Sequence, residues 1–522
     1  MKKLNLTFFY FAFLLIGVNS LSAQVELVAD INEGSEGSGS KNLNLIAPLG
    51  NSIIFSATDE IVGTELFILE EGQVRLITDL NNDPSSSNPQ HLRNFQGAVY
   101  FLANDNSGYK IWRTDGSESG TEIAFDLGVE DAGIGDYKVF LINDDELFFT
   151  FQNAVYVFDG AELKKVPYEN DIVISGSSNA ASFGWCTYRD GIALMNFNNN
   201  KWDLLYVHDA IVETLNEVPG DDFSIYPYGM GAFEGGLVLS FQASFDEDIE
   251  GRFVYIDADS TLTKVTSLFP SRTISVDDKA VLQYEDDGFI YFDSENPMGK
   301  LVENGELNLV AGATWSHTIT GKYLAFKSSG GTFEDDVISL LNTEDGSVKT
   351  IYTGDELSRM IDFSFYILFF AESENSIFDI GLYLYNLGTE SLTQIEEFED
   401  LPNRPGLIPF TVQGEYLYFF TNIDESVGSE LYRIQLDINT SIVDEDKDLE
   451  VLFNQVTSNS FQLLDTEGGN FQVQLFTTDG RLIKQENMSN NDIIEIHYDG
   501  LVCVRIISGV SSKTLFRFVN GG

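Results

Sequence analysis

Three features of the sequence predict an all-β protein. Residues 25–31 (VELVADI) and 74–80 (VRLITDL) resemble each other, and each precedes a loop rich in Asn, Asp, Gly or Ser. Their starts at Val25 and Val74 are 49 residues apart, within the ~20–50-residue periods of solenoids, propellers and arrays. Apolar stretches of about 5–8 residues broken by Gly, Asn and Asp read as short strands, and helical periodicity is hard to find. These strands group in fours, which fits a β-propeller of about eight or nine four-stranded blades.

The chain opens with a secretory signal over 1–23. Lys2 and Lys3 form its charged start, 8–18 (FFYFAFLLIGV) its apolar stretch, and 19–23 its cleavage region. The mature protein is expected outside the cytoplasm, reached through the periplasm, secreted or held at the cell surface. No later apolar run is long enough, without charges, to span a membrane.

The propeller is expected over 24–436. Its first strand set is 43–49, 52–57, 64–69 and 74–80, and its second is 91–95, 98–103, 109–113 and 121–127. Later outer strands begin near Glu162, Ile211, Thr261, Glu306, Val348 and Leu392. Nine sets can be traced, with 273–311 the most irregular. The turns Asp115-Gly116, Asp159-Gly160, Asp190-Gly191, Asp287-Gly288 and Asp345-Gly346 predict tight hairpins, since both residue types tolerate positive φ. The last set (407–412, 416–420, 430–436) has only three strands. The orphan strand 25–31 matches the missing fourth, so it is expected to close the last blade and cover its edge. A linear β-solenoid is the alternative, and it leaves that split fourth strand unexplained.

Residues 437–450 (DINTSIVDEDKDLE) read as an acidic linker. Beyond it, about seven short alternating strands over 451–519 predict a compact Ig-like β-sandwich.

The net charge is −53, from 82 acidic against 29 basic residues. That argues against nucleic acid and anionic membranes, whose phosphates need a basic surface. Solubility in a salty medium is the plain reading, and a cation-collecting surface the functional one. Only Cys186 and Cys503 exist, on opposite sides of the linker, so neither a disulfide scaffold nor a bridge between them is expected.

Residues 110–121 (KIWRTDGSESGT) resemble the ELWxxDGT repeat of secreted and surface proteins, with Lys110 at the usual Glu and Ser117 at the usual Thr. Residues 63–67 (GTELF) and 428–432 (GSELY) resemble weaker copies. The resemblance implies a propeller-like scaffold and no defined reaction. The last ~70 residues resemble the C-terminal sorting domain of the type IX secretion pathway of Bacteroidetes. The similarity is carried by 471–484 (FQVQLFTTDGRLIK), 500–506 (GLVCVRI) and 515–519 (LFRFV). It implies that 451–522 engages the type IX machinery for export across both membranes.

No catalytic, cofactor-binding or metal-ligating residue is assigned from the sequence. His91, His208, His317 and His497 show no metal-ligand spacing and no nucleophile-elbow companion. Calcium is the one candidate ion. Asp30-x-Asn32-x-Gly34 and Asp79-x-Asn81-x-Asp83 occupy equivalent loops with alternating oxygen donors, although the same residue types also simply make turns. The expected function is a binding or scaffold module for an extracellular glycan, matrix component or protein. The alternative is a secreted polysaccharide-directed hydrolase with carboxylates in the propeller channel.

Overall fold

A strand that alternates apolar residues on both its faces must bury both, and this requirement shapes the whole chain. The structure is a computed structural model. It describes 25–435 and 451–519 with interruptions, the longer of which are 40–44, 168–184, 219–224, 244–250, 267–272, 304–316, 329–335, 355–359 and 399–409. The signal region 1–24, the linker region 436–450 and 520–522 lie outside the described residues.

Strands assemble locally into antiparallel four-stranded sheets. The first sheet is Ile46–Leu49, Ser52–Asp59, Gly63–Glu70 and Gln73–Thr78, paired in chain order. The second is Gln90–Phe95, Ala98–Asn104, Tyr109–Thr114 and Glu122–Phe125. Six more four-stranded sheets follow the same order over 137–165, 185–218, 225–266, 273–303, 317–354 and 361–398. The irregular stretch from 273 is thus a regular sheet. Its fourth strand is Lys300–Glu303, earlier than the expected start near Glu306, because the connection from Gly288–Phe292 turns at once. There Asp293 Oδ1 accepts the Glu295 and Asn296 amides at 3.0 and 2.6 Å.

The last sheet draws on both ends of the repeat region. Phe410–Gln413, Tyr416–Asp424 and Gly428–Gln435 supply three strands, and Val25–Ala29 pairs antiparallel with the third. The register is Val25↔Ile434, Glu26↔Arg433 and Leu27↔Tyr432, with a bulge before Ala29↔Leu431. Glu26 Oε2 accepts from Arg433 Nε at 2.8 Å, and the guanidinium lies over the Tyr416 ring at 4.5 Å. This pair is partly exposed and is worth at most ~1 kcal/mol. The larger effect of the N-terminal strand is to cover the edge of Gly428–Gln435.

Alternation then stacks the sheets. On Ser52–Asp59, Ile53, Phe55 and Ala57 pack toward the last sheet, and Ile54 toward the second. On Tyr416–Asp424, Tyr418 and Phe420 pack toward the first sheet, and Leu417 and Phe419 toward the eighth. Among the described residues, shared buried clusters join every successive pair of sheets except the sixth and seventh, and also join the last to the first. First strands of neighbouring sheets adjoin, as Ile46–Leu49 does with both Gln90–Phe95 and Phe410–Gln413. This is the arrangement of a β-propeller, with first strands innermost.

The C-terminal part forms two further sheets. One contains Val451–Thr457, Ser460–Asp465 and Ile493–Glu495. The other is ordered Leu482–Ser489, Asn470–Thr477, Gly500–Ser508 and Ser511–Val519. Val473 and Leu475, two apart on one strand, are both fully buried.

Phe55 sits at the junction of first and last sheets, fully buried, with ring centroids 6.1 Å from Phe67 and 5.8 Å from Phe420. Phe55→Ala is expected to cost about 3–5 kcal/mol in denaturant unfolding. A loss below ~1 kcal/mol, the level of a surface change, contradicts this packing.

Candidate functional site

The weak repeat copies Gly63-Thr-Glu65-Leu-Phe67 and Gly428-Ser-Glu430-Leu-Tyr432 each place a glutamate on the third strand of a sheet. Both are fully buried. Glu65 accepts from Ser87 N (2.6 Å), Ser87 Oγ (2.5 Å) and Leu80 N (3.4 Å). Glu430 accepts from Ser38 Oγ (2.5 Å), Ile31 N (3.2 Å) and Asn32 N (3.4 Å). Each carboxylate therefore fastens the loop that follows its sheet's outer strand. Burial pushes both carboxyls above their usual range, and the hydrogen bonds only partly offset it.

Backbone contact reinforces the second fastening. Gly37 and Gly428 both have positive φ. A Cβ on Gly37 would lie 2.3 Å from Ser429 N, and one on Gly428 would lie 2.6 Å from Ser35 O. Only glycine allows the two backbones to approach so closely.

The second sheet carries Lys110 at this step, and the chemistry changes with it. Lys110 is buried, and its ammonium donates to both Asp105 oxygens at 2.7 Å and to Ser107 Oγ. The loop beyond the outer strand docks through backbone instead, Tyr109 N to Ala132 O (2.8 Å) and Asp131 N to Ser107 O (2.9 Å).

The two loops singled out as calcium candidates are the ones the glutamates hold. Asp79 Oδ1 accepts the Asn81 amide at 3.1 Å, and Asn81 Nδ2 donates to Ser85 O at 2.9 Å. Asn32 Nδ2 donates to Gly37 O at 3.1 Å. Both asparagine side chains thus hydrogen-bond within their own loops. Their other amide atoms, Asn32 Oδ1 and Asn81 Oδ1, are buried without a hydrogen-bond partner among the described residues. Asp83 lies outside the described residues. Among the described residues, no three His, Cys, Asp or Glu side chains converge as a metal-ligand group.

Of the histidines, His91 is buried on the innermost strand of the second sheet, with φ +57°. Burial, and then the Arg93 charge, push its pKa down to about 4, so the ring is neutral at neutral pH. His208 stacks on Tyr206 at 4.6 Å and reaches Glu213 at 3.4 Å. His317 begins the strand His317–Thr320, and His497 lies outside the described residues.

Arg93 stands on the same inner strand as His91. It is half-buried, and its Nη1 donates to the Leu92 carbonyl at 3.0 Å. Burial pushes its pKa down to about 10, which leaves it cationic at neutral pH. Arg75, Arg113, Arg189 and Arg433 each hold a carboxylate: Glu70, Glu122, Asp257 and Glu26. Arg93 meets none among the described residues.

A polar cluster not anticipated from the sequence ties the fourth sheet to the fifth. Arg189 lies over the Tyr188 and Tyr206 rings at 4.9 and 5.4 Å and pairs with Asp257 at 3.1 Å. The Tyr188 hydroxyl donates to Asp257, and the Tyr206 hydroxyl to Asp190. The Tyr-Arg-Asp-Gly run at 188–191 is its only sequence signal. Cys186, on the strand leading into this run, is free and buried, and burial pushes its thiol up to about 12. Cys503 lies in Gly500–Ser508.

No protein-family model matches the chain, and no curated protein does. Among solved structures it is similar to an oligogalacturonate lyase in complex with manganese, at 10% identity and TM-score 0.34, over 65% of this chain and 86% of that one. It is also similar to Sqt1 of Saccharomyces cerevisiae, at 12% and 0.37, over 77% and 99%. A prolyl endopeptidase shows 10% identity and TM-score 0.40, over 76% of this chain and 55% of its own. Likenesses this distant say nothing about chemistry.

The Glu430 fastening has a defined pH signature. A carboxyl whose pKa is raised on folding takes up a proton as the chain folds. Its contribution to stability is therefore full below the unfolded value and is lost as pH rises through the folded one. The stability gap between wild type and Glu430→Gln is expected to narrow as pH rises from the ordinary carboxylate range. A gap that widens over that range, in denaturant titrations, contradicts the assignment.

Proposed function

We propose that the protein is an exported, acidic β-propeller that acts as a binding or scaffold module at the cell surface or outside the cell. In this reading the nine four-stranded sheets are the blades of one ring closed by the N-terminal strand. Residues 451–522 are a C-terminal sorting domain, with its two sheets packed as a sandwich and addressed to the type IX secretion machinery.

The observation that carries the binding role is Arg93. A guanidinium offers five N–H donors, and one bond to a neighbouring carbonyl leaves most of them unmet among the described residues. A half-buried cation without a carboxylate is costly. In a chain with 82 acids and 29 bases, a carboxylate partner is easily supplied, yet this arginine on an inner strand has none among the described residues. A ligand bearing a carboxylate or sulfate would complete it with paired, charge-assisted bonds. The buried glutamates, by contrast, are already consumed in fastening loops, which favours a binding role over catalysis by these groups.

Two experiments test this reading. On an array of acidic and neutral glycans and acidic peptides, the mature protein is expected to prefer anionic ligands. Arg93→Met is expected to weaken that binding about 10–100-fold, the worth of a charged hydrogen bond. Preference for neutral ligands, or binding indifferent to Arg93→Met, contradicts the site. Removing 451–522 is expected to leave the propeller folded and the protein retained in the cell. Secretion of the truncated chain at the normal level contradicts the sorting role.

A further inference from the structure

Resting on the reading that Arg93 takes an anionic ligand, we infer that His91 completes that site: its imidazole binds the same anion and takes up a proton as it does so. Capture is thereby coupled to pH, and is tighter in an acid medium than in a neutral one.

The backbone brings the two side chains to one seam. His91 and Arg93 stand on Gln90–Phe95, the first strand of the second sheet. Its ladder runs Gln90↔Leu102 and then Arg93↔Tyr100, so His91 and Leu92 together face a single partner residue. This is a bulge, and His91 takes φ +57° within it, an uncommon conformation for a residue with a side chain. Residues three apart on a regular strand face opposite sides. Here the extra residue lets both Gln90 and Arg93 lie opposite Leu102 and Tyr100, members of the buried cluster between the second and third sheets. The His91 ring lies on the same side, 6.4 Å from the ring of Phe140, which belongs to that cluster and stands on the third sheet's first strand. Leu92 turns the other way, toward the first sheet. Arg93 is near enough for its charge to act on the imidazole.

Both groups are short of partners. His91 is only 6% exposed. A neutral imidazole carries one N–H donor and one acceptor nitrogen. Among the described residues neither meets a hydrogen-bond partner, and the ring's neighbours are the Phe140 ring and the Arg93 charge. The Arg93 guanidinium keeps donors to spare after its bond to the Leu92 carbonyl. Buried polar groups without partners are rare in native folds and ask for an occupant. A carboxylate or sulfate answers both needs at once, accepting from the guanidinium and from the imidazole N–H.

The proton follows from the charges. In the protein alone, burial and then the Arg93 charge push the imidazole pKa down to about 4. An anion offsets the guanidinium charge that the ring feels and adds an attraction of its own, so the pKa rises on binding. A group whose pKa rises on binding takes up a proton, and affinity grows as pH falls through the window between its two values. The other ionisable side chains on the elements packed around the pair are engaged elsewhere, among the described residues. The Tyr100 hydroxyl is held by Arg113, and the Tyr137 hydroxyl donates to Tyr109 O at 3.1 Å. The first sheet's inner strand, Ile46–Leu49, carries none.

The test follows sucrose octasulfate, whose sulfates stay ionised throughout, binding to the full mature chain. With four histidines in the chain, histidine-selective isotope labelling gives a ring spectrum simple enough to assign. His91→Asn identifies the His91 signal and supplies a residue that tolerates positive φ and does not titrate. The ligand is expected to move the His91 ring titration to higher pH in wild type. Calorimetry is expected to show affinity rising at least about threefold from about pH 7 to about pH 5, beyond any rise in His91→Asn. The comparison with His91→Asn removes the effect of the acidic surface, whose own charge falls over that range. Binding lost in Arg93→Met, with the wild-type His91 titration unmoved by ligand, overturns the inference and leaves the Arg93 site standing. No binding, or binding indifferent to Arg93→Met, overturns both. Should His91→Asn not fold, replacing the other three histidines in turn assigns the His91 signal by exclusion, and a titration unmoved by ligand still overturns the inference.

Discussion

The fold depends on burying both faces of its central strands at once. Ile53 and Phe55 point one way and Ile54 the other, and all three are out of water. A sheet of this kind has no solvent face to end on, so each needs a neighbour on either side. A finite row of such sheets meets the demand only if its last member packs against its first. The shared cluster of Phe55, Phe67, Tyr418, Phe420 and Leu431 is that contact. Ring closure is therefore a consequence of strand composition, and the pairing of Val25–Ala29 with Gly428–Gln435 is how the chain completes it.

The buried carboxylates belong to the same logic. Ring closure brings the chain's N-terminal segment beside a strand about 400 residues away. The hydrophobic contact holds the strand but does not fix the loop beyond it. Glu430 does, by taking Ile31, Asn32 and Ser38 together. Glu65 does the same for Leu80 and Ser87 within one sheet. A charged group in such a place is costly unless its acceptors are used, and three donors each use them well. The polar centres of this molecule thus sit where loops are pinned to strands.

Much of the architecture was legible because it rests on pattern. The likeness of VELVADI to VRLITDL marks Val25–Ala29 as a fourth strand, and the apolar runs mark the strands. Turn chemistry was less legible. Asp115-Gly116 opens a seven-residue loop, because Asp115 Oδ1 caps the Ser117 amide instead of making a tight hairpin. Asp159 Oδ1 likewise caps Ala161 and Glu162 across a four-residue loop. Two-residue turns with positive φ at both positions fall at Glu71-Gly72, Gln96-Gly97 and Asp209-Ala210. The fastening glutamates were hidden for a different reason. In a chain with 82 acids, Glu65 and Glu430 look like any surface carboxylate until their burial and the serines they meet are seen together. Arg93 was hidden in the same way, since what distinguishes it is the lack of a carboxylate partner among the described residues.

The claim that ring closure is integral to stability is tested most directly by native-state hydrogen exchange at the amides of Ile31 and Asn32, followed against denaturant. Amides freed only by global unfolding share its free energy and its denaturant slope, whereas local fraying shows little slope. The account predicts that both amides exchange with the amides of Phe55 and Phe419, through opening of the ring as a whole. Exchange of Ile31 and Asn32 at low free energy, independent of denaturant, while Phe55 and Phe419 stay protected, would contradict it.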